Sequence, residues 1–127
     1  MTRRAVSTAG APAAVGTYSQ GIVADGFLFC AGQAALDPAT GTLVEGGIEP
    51  ETERVMANLS AVLDAAGASW ADVVKTTIFL VDMGDFATVN TIYGRFMGDP
   101  PPARSTIGVA ALPKGARIEI EAVARLG

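Results

Sequence analysis

The feature that most constrains the fold is the stretch at residues 73–81, Val-Val-Lys-Thr-Thr-Ile-Phe-Leu-Val. β-Branched and aromatic side chains dominate it, which favours a strand over a helix. Because strand side chains alternate between two faces, a stretch without alternating polarity presents apolar groups on both. Such a strand belongs in the middle of a sheet whose two faces are covered. The rest of the chain therefore has to supply two covering layers.

Two helical patterns supply one of these layers. Residues 50–66 place apolar side chains three and four positions apart, with acidic side chains in the first turn and Gly67 just past the end. A second helix begins near Asp85, which we expect to cap it, and ends before the three prolines of residues 100–102. The apolar positions of the two helices are Val55, Leu59, Val62, Leu63, Ala66, Phe86, Val89, Tyr93, Phe96 and Met97.

Short strand patterns account for most of the remaining chain. They cover residues 3–7, 18–24 and 27–33, the last two joined by an Asp25-Gly26 turn, and two more strands follow within residues 100–126. The order β-β-β-α-β-α-β-β predicts one α+β domain over residues 1–127, a mixed β-sheet with two helices packed on one face. Because two helices cover only one face, we expect self-association to cover the other. The low charged fraction, 17% of residues, favours the same conclusion.

Composition excludes several kinds of site. The sequence has no histidine, which rules out Ser-His and Cys-His nucleophiles and histidine metal sites. The single cysteine, Cys30, lies in an apolar run and is predicted to be a buried free thiol. Asp82 and Asp85 are better placed to cap a helix than to bind a metal. A net charge of −4 with scattered basic residues argues against nucleic-acid binding. No apolar run is long enough for a membrane span or signal peptide, so we expect a soluble, cytoplasmic protein.

A charged cluster is expected near the end of the chain. Residues 100–126 contain two predicted strands, with Arg104 near the start of the first and Glu119 and Glu121 on one face of the second. If the two strands lie side by side, the guanidinium and the carboxylates converge on a patch that holds a small anion and a water. Plainer interpretations stay open: Arg104 as an ion-pair partner of either glutamate, and the glutamates as a solvated strand face.

Eight short pieces of the sequence share the order and spacing of one known family. They are Ala11-Pro12-Ala13-Ala14, Tyr18-Ser19-Gln20-Gly21, Ala31-Gly32-Gln33, Asp37-Pro38-x-Thr40-Gly41, Val74-Lys75-Thr76-Thr77, Asp85-Phe86-Ala87-Thr88-Val89-Asn90, Pro102-Ala103-Arg104-Ser105, and Leu112-Pro113-Lys114 through Ile118-Glu119-Ile120-Glu121-Ala122. Together they resemble the RidA family, also called YjgF. The resemblance implies a chorismate-mutase-like fold and a homotrimer with three clefts between subunits. It also implies deamination, without a cofactor, of reactive enamine/imine intermediates such as 2-aminoacrylate, released by pyridoxal-phosphate enzymes, to a 2-keto acid and ammonia.

The resemblance also implies roles for individual residues. Arg104 matches the arginine that holds the substrate carboxylate, a task that suits a planar, permanently charged guanidinium. Glu119 matches the glutamate that positions or activates water, whereas Glu121 is expected to support the cleft or to serve as an ion-pair partner. Tyr18 matches the cleft tyrosine, and Gly32 lets the substrate approach the backbone. The further residues expected to contact substrate are Ala31, Asn90, Ser105 and Thr106.

Departures from the family pattern leave other activities open. Thr17 stands for the usual proline, Ala31 for a common serine and Thr106 for a frequent cysteine, so the rate and substrate preference are expected to differ. One alternative is a pathway-specific deaminase of another enamine, such as 2-aminomuconate, and another is a non-catalytic protein that binds keto acids. Ribonuclease activity, described for some family members, is disfavoured by the acidic, histidine-free composition. Neither Lys75 nor Lys114 matches a position that would link a cofactor.

Overall fold

The computed structural model describes residues 2–127, in which six strands and two helices follow one another in the predicted order. The elements are β1 (Arg4–Val6), β2 (Gly21–Ala24), β3 (Phe27–Ala34), α1 (Ile48–Ala65), β4 (Val73–Leu80), α2 (Phe86–Gly94), β5 (Ala103–Gly108) and β6 (Ile118–Arg125). Short 3-10 turns lie at Trp70–Asp72, Met83–Asp85 and Pro113–Gly115. The predicted α+β architecture is therefore confirmed.

The strands form one mixed sheet in the order β1-β2-β3-β6-β4-β5. Neighbouring strands are antiparallel except for β4 and β5, which run parallel. As its sequence predicts, β4 has a partner on each side. The last two strands of the chain are not neighbours, because β4 lies between them. This separation decides where their charged residues lie.

Both helices pack on the same side of the sheet, here called the helix face. Alternate strand residues point into this layer, and Leu28, Ile78 and Ile120 are completely buried there. The helical stripe expected from the sequence meets them, since Val55 and Leu59 of α1 are also completely buried. Removal of this apolar surface from water is the main contribution to stability. The prediction of two helices on one face is confirmed.

The opposite side of the sheet, here called the open face, has no covering layer within residues 2–127. Phe29 on β3 is 48% exposed and Ile107 on β5 is 44% exposed. The strand registers put Phe79 and Val123 on the same side. An apolar sheet face of this kind normally marks contact with another molecule.

The hairpin of β2 and β3 follows the sequence prediction at its turn and departs from it at its start. Asp25 and Gly26 both have positive φ, 50° and 77°, as a tight hairpin turn requires. β2 begins at Gly21, three residues later than predicted, because β1 ends at Val6 opposite Gly21 and offers no partner to residues 18–20. Tyr18 therefore lies in a loop.

The helix ends show one confirmed and one wrong prediction. Gly67 has a φ of 78° just past α1, and Ala68 N donates to Leu63 O at 2.9 Å, which closes the helix with a glycine cap. Asp85 precedes α2, but its side chain makes no capping hydrogen bond. The nearby Asp82 caps the preceding 3-10 turn instead, by accepting a hydrogen bond from the Gly84 backbone N–H.

Candidate active site

Arg104 lies on β5, the edge strand of the sheet, and its side chain extends on the helix face across one side of α2. Its Nη1 donates a hydrogen bond to Asn90 Oδ1 at 2.8 Å. Its guanidinium carbon lies 5.3 Å from the ring centre of Phe86 and 5.1 Å from that of Tyr93. Within residues 2–127 no carboxylate forms a salt bridge with it. A permanent positive charge is thus held in place and left available to an anion.

An open groove of about 520 Å³ runs beside Arg104. Its lining combines the polar side chains of Arg104 and Asn90 with the apolar side chains of Met97, Pro101 and Pro102. Small-molecule sites typically combine apolar side chains with a few placed polar groups, as this groove does. The groove suits a small molecule with a carboxylate at one end and an apolar group at the other.

Glu119 lies on the open face, because β6 alternates and directs its isoleucines into the helix face. Its carboxylate lies over Gly32, where the register of β3 and β6 shifts between Cys30 and Gln33. A Cβ at position 32 would come within 2.9 Å of Glu119 Cδ and 3.1 Å of Cγ. Glycine at this position is therefore what allows the carboxylate to lie close to the β3 backbone.

The surroundings of Glu119 favour its protonated form. Burial raises the pKa of Glu119, and the charge of Glu121, two residues along the same face, raises that pKa further. Glu119 thus keeps its proton at a higher pH than an exposed glutamate does. A carboxyl group with this property is suited both to accept and to return a proton during a reaction.

The expected convergence of Arg104 with the two glutamates does not occur within one chain. Arg104 stands opposite Thr76, which is buried on the helix face, whereas Glu119 stands opposite Phe79 on the open face. β4 also separates the strands that carry them. The interpretation of Arg104 as an ion-pair partner of Glu119 or Glu121 fails within the chain for the same reason.

Two further expected residues follow Arg104 on β5 and point to different faces. Thr106 stands opposite Ile78 and points to the helix face, as Arg104 does. Ser105 points to the open face, where its Oγ accepts a hydrogen bond from Lys75 Nζ at 3.2 Å. Lys75 thus lies on the open face with its ammonium group hydrogen-bonded to Ser105.

The remaining expected residues lie beneath Glu119 in the sheet or in the loop before β2. Ala31 and Gly32 form the irregular part of β3 beneath the Glu119 carboxylate. Tyr18 is 53% exposed, and its hydroxyl accepts a 3.4 Å hydrogen bond from the Val15 backbone N–H. Most of the Tyr18 ring is therefore free to contact another molecule.

Gln20 is a buried residue to which sequence reasoning assigned no role. Its Nε2 donates to the backbone oxygens of Thr8, at 3.0 Å, and Pro12, at 2.8 Å, and its Oε1 accepts from Thr8 N at 2.6 Å. Its backbone oxygen accepts a hydrogen bond from Ala31 N at 2.9 Å. Gln20 thereby ties the loop that carries Tyr18 to the irregular part of β3. The available signal was its place in the Tyr-Ser-Gln-Gly piece.

Glu51 is a second residue whose position was not foreseen. The sequence indicates an acid in the first turn of α1, but Glu51 is completely buried. Its carboxylate accepts hydrogen bonds from Arg117 N at 2.8 Å and from Arg117 Nη1 at 2.6 Å. Glu51 is the buried partner of this ion pair, whereas the Arg117 side chain is 52% exposed. The pair fixes α1 against the start of β6, the strand that carries Glu119.

Residues 2–127 contain no group of three or more side chains suited to hold a metal ion. Cys30 is buried as predicted, and this burial raises the pKa of its thiol to about 12, so the thiol stays protonated. In that range no helix is both long enough and apolar enough to cross a membrane.

Comparisons with known proteins agree with the motifs. Residues 8–126 match the family model described as Endoribonuclease L-PSP. A RutC family protein of Synechocystis is 54% identical over 99% of this chain and 98% of its own length. A human protein named 2-iminobutanoate/2-iminopropanoate deaminase is 48% identical over 100% of this chain and 93% of its own length. The crystal structure of RidA from an Antarctic Psychrobacter species matches with a TM-score of 0.93 and 41% identity, covering 97% of this chain and 99% of that one.

The similarity covers both regions of the candidate site. The family match includes the loop with Tyr18, the irregular part of β3, the β5 arginine and the β6 glutamates. The structural match extends over the same elements. This chain belongs to the RidA family, also called YjgF, and the family prediction made from its motifs is confirmed.

Proposed function

We propose that this protein hydrolyses reactive enamine and imine intermediates, such as 2-aminoacrylate, to 2-keto acids and ammonia. Support comes from its near-full-length similarity to mammalian proteins named 2-iminobutanoate/2-iminopropanoate deaminase, at 46% to 48% identity. The geometry adds a cation suited to a substrate carboxylate and a carboxyl group suited to proton transfer. In this proposal Arg104 holds the carboxylate and Glu119 acts on the water.

The observation that carries the proposal is that Arg104 and Glu119 point to opposite faces of one sheet. A three-carbon substrate cannot touch both within a single chain. A second copy laid against the open face would bring its own Arg104 edge to the Glu119 of the first. We therefore propose that the chain self-associates with clefts between subunits, and the exposed Phe29 and Ile107 provide apolar surface for that contact. The number of subunits, three, is taken from the family resemblance.

The reaction in such a cleft is a hydrolysis with balanced proton transfers. 2-Aminoacrylate takes a proton on C3 and loses one from nitrogen, which gives the 2-imino acid. Water then adds to C2, so that a C–O bond forms and the C=N π electrons move to nitrogen. Collapse of this adduct forms the C=O bond and expels ammonia. Glu119 accepts one proton of the attacking water and passes it to the nitrogen. It then accepts the hydroxyl proton of the adduct and gives it to the nitrogen as the C–N bond breaks, so both protons of the water leave in ammonia.

The other expected residues have supporting roles in this proposal. The Tyr18 hydroxyl contacts substrate or water, and the backbone at Ala31 and Gly32 supplies N–H groups to the substrate. Ser105 and Thr106 line the cleft on either side of β5. Ala31 lacks the serine hydroxyl that is common at its position in the family, so it contributes through its backbone and its shape. Thr106 has a hydroxyl in place of the frequent cysteine thiol, and it contributes through that hydroxyl and its shape.

Ribonuclease activity, which the family description names, has less support in this chain. General acid–base cleavage of RNA commonly uses histidine, and the sequence has none. Its net charge of −4 also opposes binding to a polyanion.

The decisive experiment mixes two inactive variants. Arg104→Ala and Glu119→Gln are refolded together in equal amounts, and pyruvate formation is followed while a pyridoxal-phosphate lyase generates 2-aminoacrylate from serine. If each cleft takes one group from each of two subunits, about one quarter of the clefts are intact, since each of the two positions is intact half the time. The matched control replaces Glu119→Gln by the double variant Arg104→Ala/Glu119→Gln, which leaves no intact cleft.

Two outcomes would overturn the proposal in different ways. Wild-type protein that fails to accelerate pyruvate formation excludes the deamination of 2-aminoacrylate and favours another enamine substrate or a keto-acid-binding role. In the second outcome the wild type is active, and the two variants form mixed oligomers that stay inactive. This result excludes a cleft shared between subunits but keeps the deaminase activity.

A further inference from the structure

The contacts of Arg104 come from three residues on one side of α2. Phe86, Asn90 and Tyr93 are spaced by four and then three positions, so their side chains share a helical face. Asn90 receives a hydrogen bond from the guanidinium, and the two rings lie 5.3 Å and 5.1 Å from its carbon. None of the three carries a charge, so they hold the arginine without neutralising it.

Tyr93 differs from Phe86 and Asn90 because its own side chain is held by a hydrogen bond to the sheet. Its hydroxyl forms a 2.7 Å hydrogen bond with Thr76 Oγ1. Tyr93 is 4% exposed and Thr76 is completely buried, so water does not compete for this bond. Thr76 also stands directly opposite Arg104 in the register of β4 and β5. Thr76, Tyr93 and Arg104 therefore contact one another in turn. The strand pairing places Thr76 beside Arg104, and Tyr93 of α2 contacts both.

These contacts matter because arginine has a long and mobile side chain. An unrestrained guanidinium loses much conformational freedom when it binds an anion, and that loss weakens binding. A guanidinium already resting on a fixed aromatic ring loses less. The hydrogen bond to Thr76 restrains the orientation of the Tyr93 ring beside the guanidinium.

We propose that Tyr93, fixed by Thr76, is a positioning residue that holds the Arg104 guanidinium ready for the carboxylate of the substrate. This inference rests on the proposed function, in which Arg104 binds that carboxylate. Tyr93 also lines the groove beside Arg104, but in this proposal it acts through the guanidinium and not on the reacting atoms. Its loss therefore weakens substrate binding and leaves the chemical step nearly intact.

Three variants test this role. Tyr93→Leu removes the ring, Tyr93→Phe keeps the ring and removes the hydroxyl, and Thr76→Val removes the partner of the hydroxyl with little change in volume. The matched control is Thr52→Val, which makes the same change at another completely buried position, where the hydroxyl donates to Ile48 O on α1. It reports the general cost of losing a buried threonine hydrogen bond away from Arg104.

Two measurements separate positioning from a structural role. Steady-state kinetics with 2-aminoacrylate generated in situ give KM and kcat, and calorimetric titration with 2-ketobutyrate gives the affinity for a stable carboxylate ligand. We expect KM and the 2-ketobutyrate Kd to rise about tenfold in Tyr93→Leu and about threefold in Tyr93→Phe and Thr76→Val, with kcat within twofold of wild type. Thr52→Val is expected to lower Tm and to leave KM and Kd within twofold.

Each remaining outcome decides the question. The inference is overturned if KM and Kd are unchanged in a folded Tyr93→Leu variant. If that variant does not fold, unchanged KM and Kd in Tyr93→Phe and Thr76→Val overturn it. Equal effects of Thr52→Val and Thr76→Val overturn it as well. Wild type that binds 2-ketobutyrate in a Tyr93-dependent way without deaminating the imine keeps the inference and removes the proposed function. Wild type that does neither removes both.

Discussion

The two charged groups of the candidate site are held in opposite ways. Arg104 lies across α2, with a hydrogen bond to Asn90 and two aromatic rings beside it, and no neighbouring acid offsets its charge within residues 2–127. Glu119 lies over Gly32 in the sheet, where burial and then the charge of Glu121 raise its pKa. The surroundings of Arg104 restrict its position, and those of Glu119 alter its affinity for a proton.

The chemistry of the two groups explains this difference. A guanidinium is charged at every pH that a protein meets, so a protein improves it as an anchor chiefly by restricting its motion. The use of a carboxyl group in catalysis depends on its protonation, which burial and neighbouring charge control. Changes around Arg104 should therefore alter substrate binding, and changes around Glu119 should alter kcat and its dependence on pH.

The largest effects are expected from substitutions of Arg104 and Glu119 themselves. Glu119→Gln removes the proton acceptor, and we expect kcat to fall about 10²- to 10⁴-fold with KM little changed. Arg104→Lys keeps the charge but loses the planar pair of donors, and we expect KM to rise about tenfold or more with kcat within a few-fold of wild type. Steady-state kinetics on both variants check the contrast. Similar effects on the same parameter in both would remove the proposed division of roles.

The second expected effect comes from the glycine under Glu119. In Gly32→Ala the new Cβ would lie 2.9 Å from Glu119 Cδ, so the carboxylate has to swing away from the backbone. We expect kcat to fall about ten- to 100-fold because the carboxylate leaves its position. Because burial is the first cause of the raised pKa, we also expect that pKa to fall, which moves the acid limb of the pH profile to lower pH.

A matched glycine near Arg104 provides the control for this prediction. In Gly94→Ala the new Cβ meets no atom within 4 Å outside the adjoining backbone of α2, and alanine suits the end of α2 better than glycine. We expect an unchanged acid limb and a gain in stability of at most about 1 kcal/mol, measured by thermal unfolding. An acid limb that moves equally in both glycine variants would mean that loss of the Glu119 position is not the cause.

The sequence predicted the local features of both regions and could not predict how they are arranged. The pattern of residues 73–81 indicated a central strand, and the two apolar stripes indicated helices on one side, which left an exposed sheet face. The distance between Arg104 and Glu119 depends on β4 lying between their strands, and strand order is a property of long-range pairing. No local pattern contains it.

The roles of Gln20 and Tyr93 were hidden for a related reason. A glutamine in a loop and a tyrosine on a helix are ordinary surface or core residues until their partners are known. Those partners are backbone atoms of residues 8–12 for Gln20, and Thr76 and Arg104 for Tyr93. The family motifs named the candidate reactive groups, but only the structure shows what holds each of them in place.

The smallest expected effect isolates the second cause of the raised pKa. Glu121→Gln removes the neighbouring charge and leaves the burial of Glu119 as it is, so the pKa of Glu119 should fall less than in Gly32→Ala. The acid limb of kcat should move to lower pH by this smaller amount, and the difference from wild type should shrink at high salt, since screening weakens the charge interaction.

Stability gives an independent measure of the same charge interaction. A carboxyl group with a raised pKa binds its proton more tightly in the folded state than in the unfolded state, where the ordinary value is 4.5. Wild-type stability should therefore fall as pH rises from that value through the raised pKa, and Glu121→Gln should weaken this fall. Denaturant unfolding at several pH values measures it. Glu121→Gln could instead move the acid limb to higher pH or steepen the loss of stability with pH. Either result would mean that Glu121 assists the ionisation of Glu119. The proposed contrast, an arginine restricted in position and a glutamate with a raised pKa, would then be wrong for the glutamate.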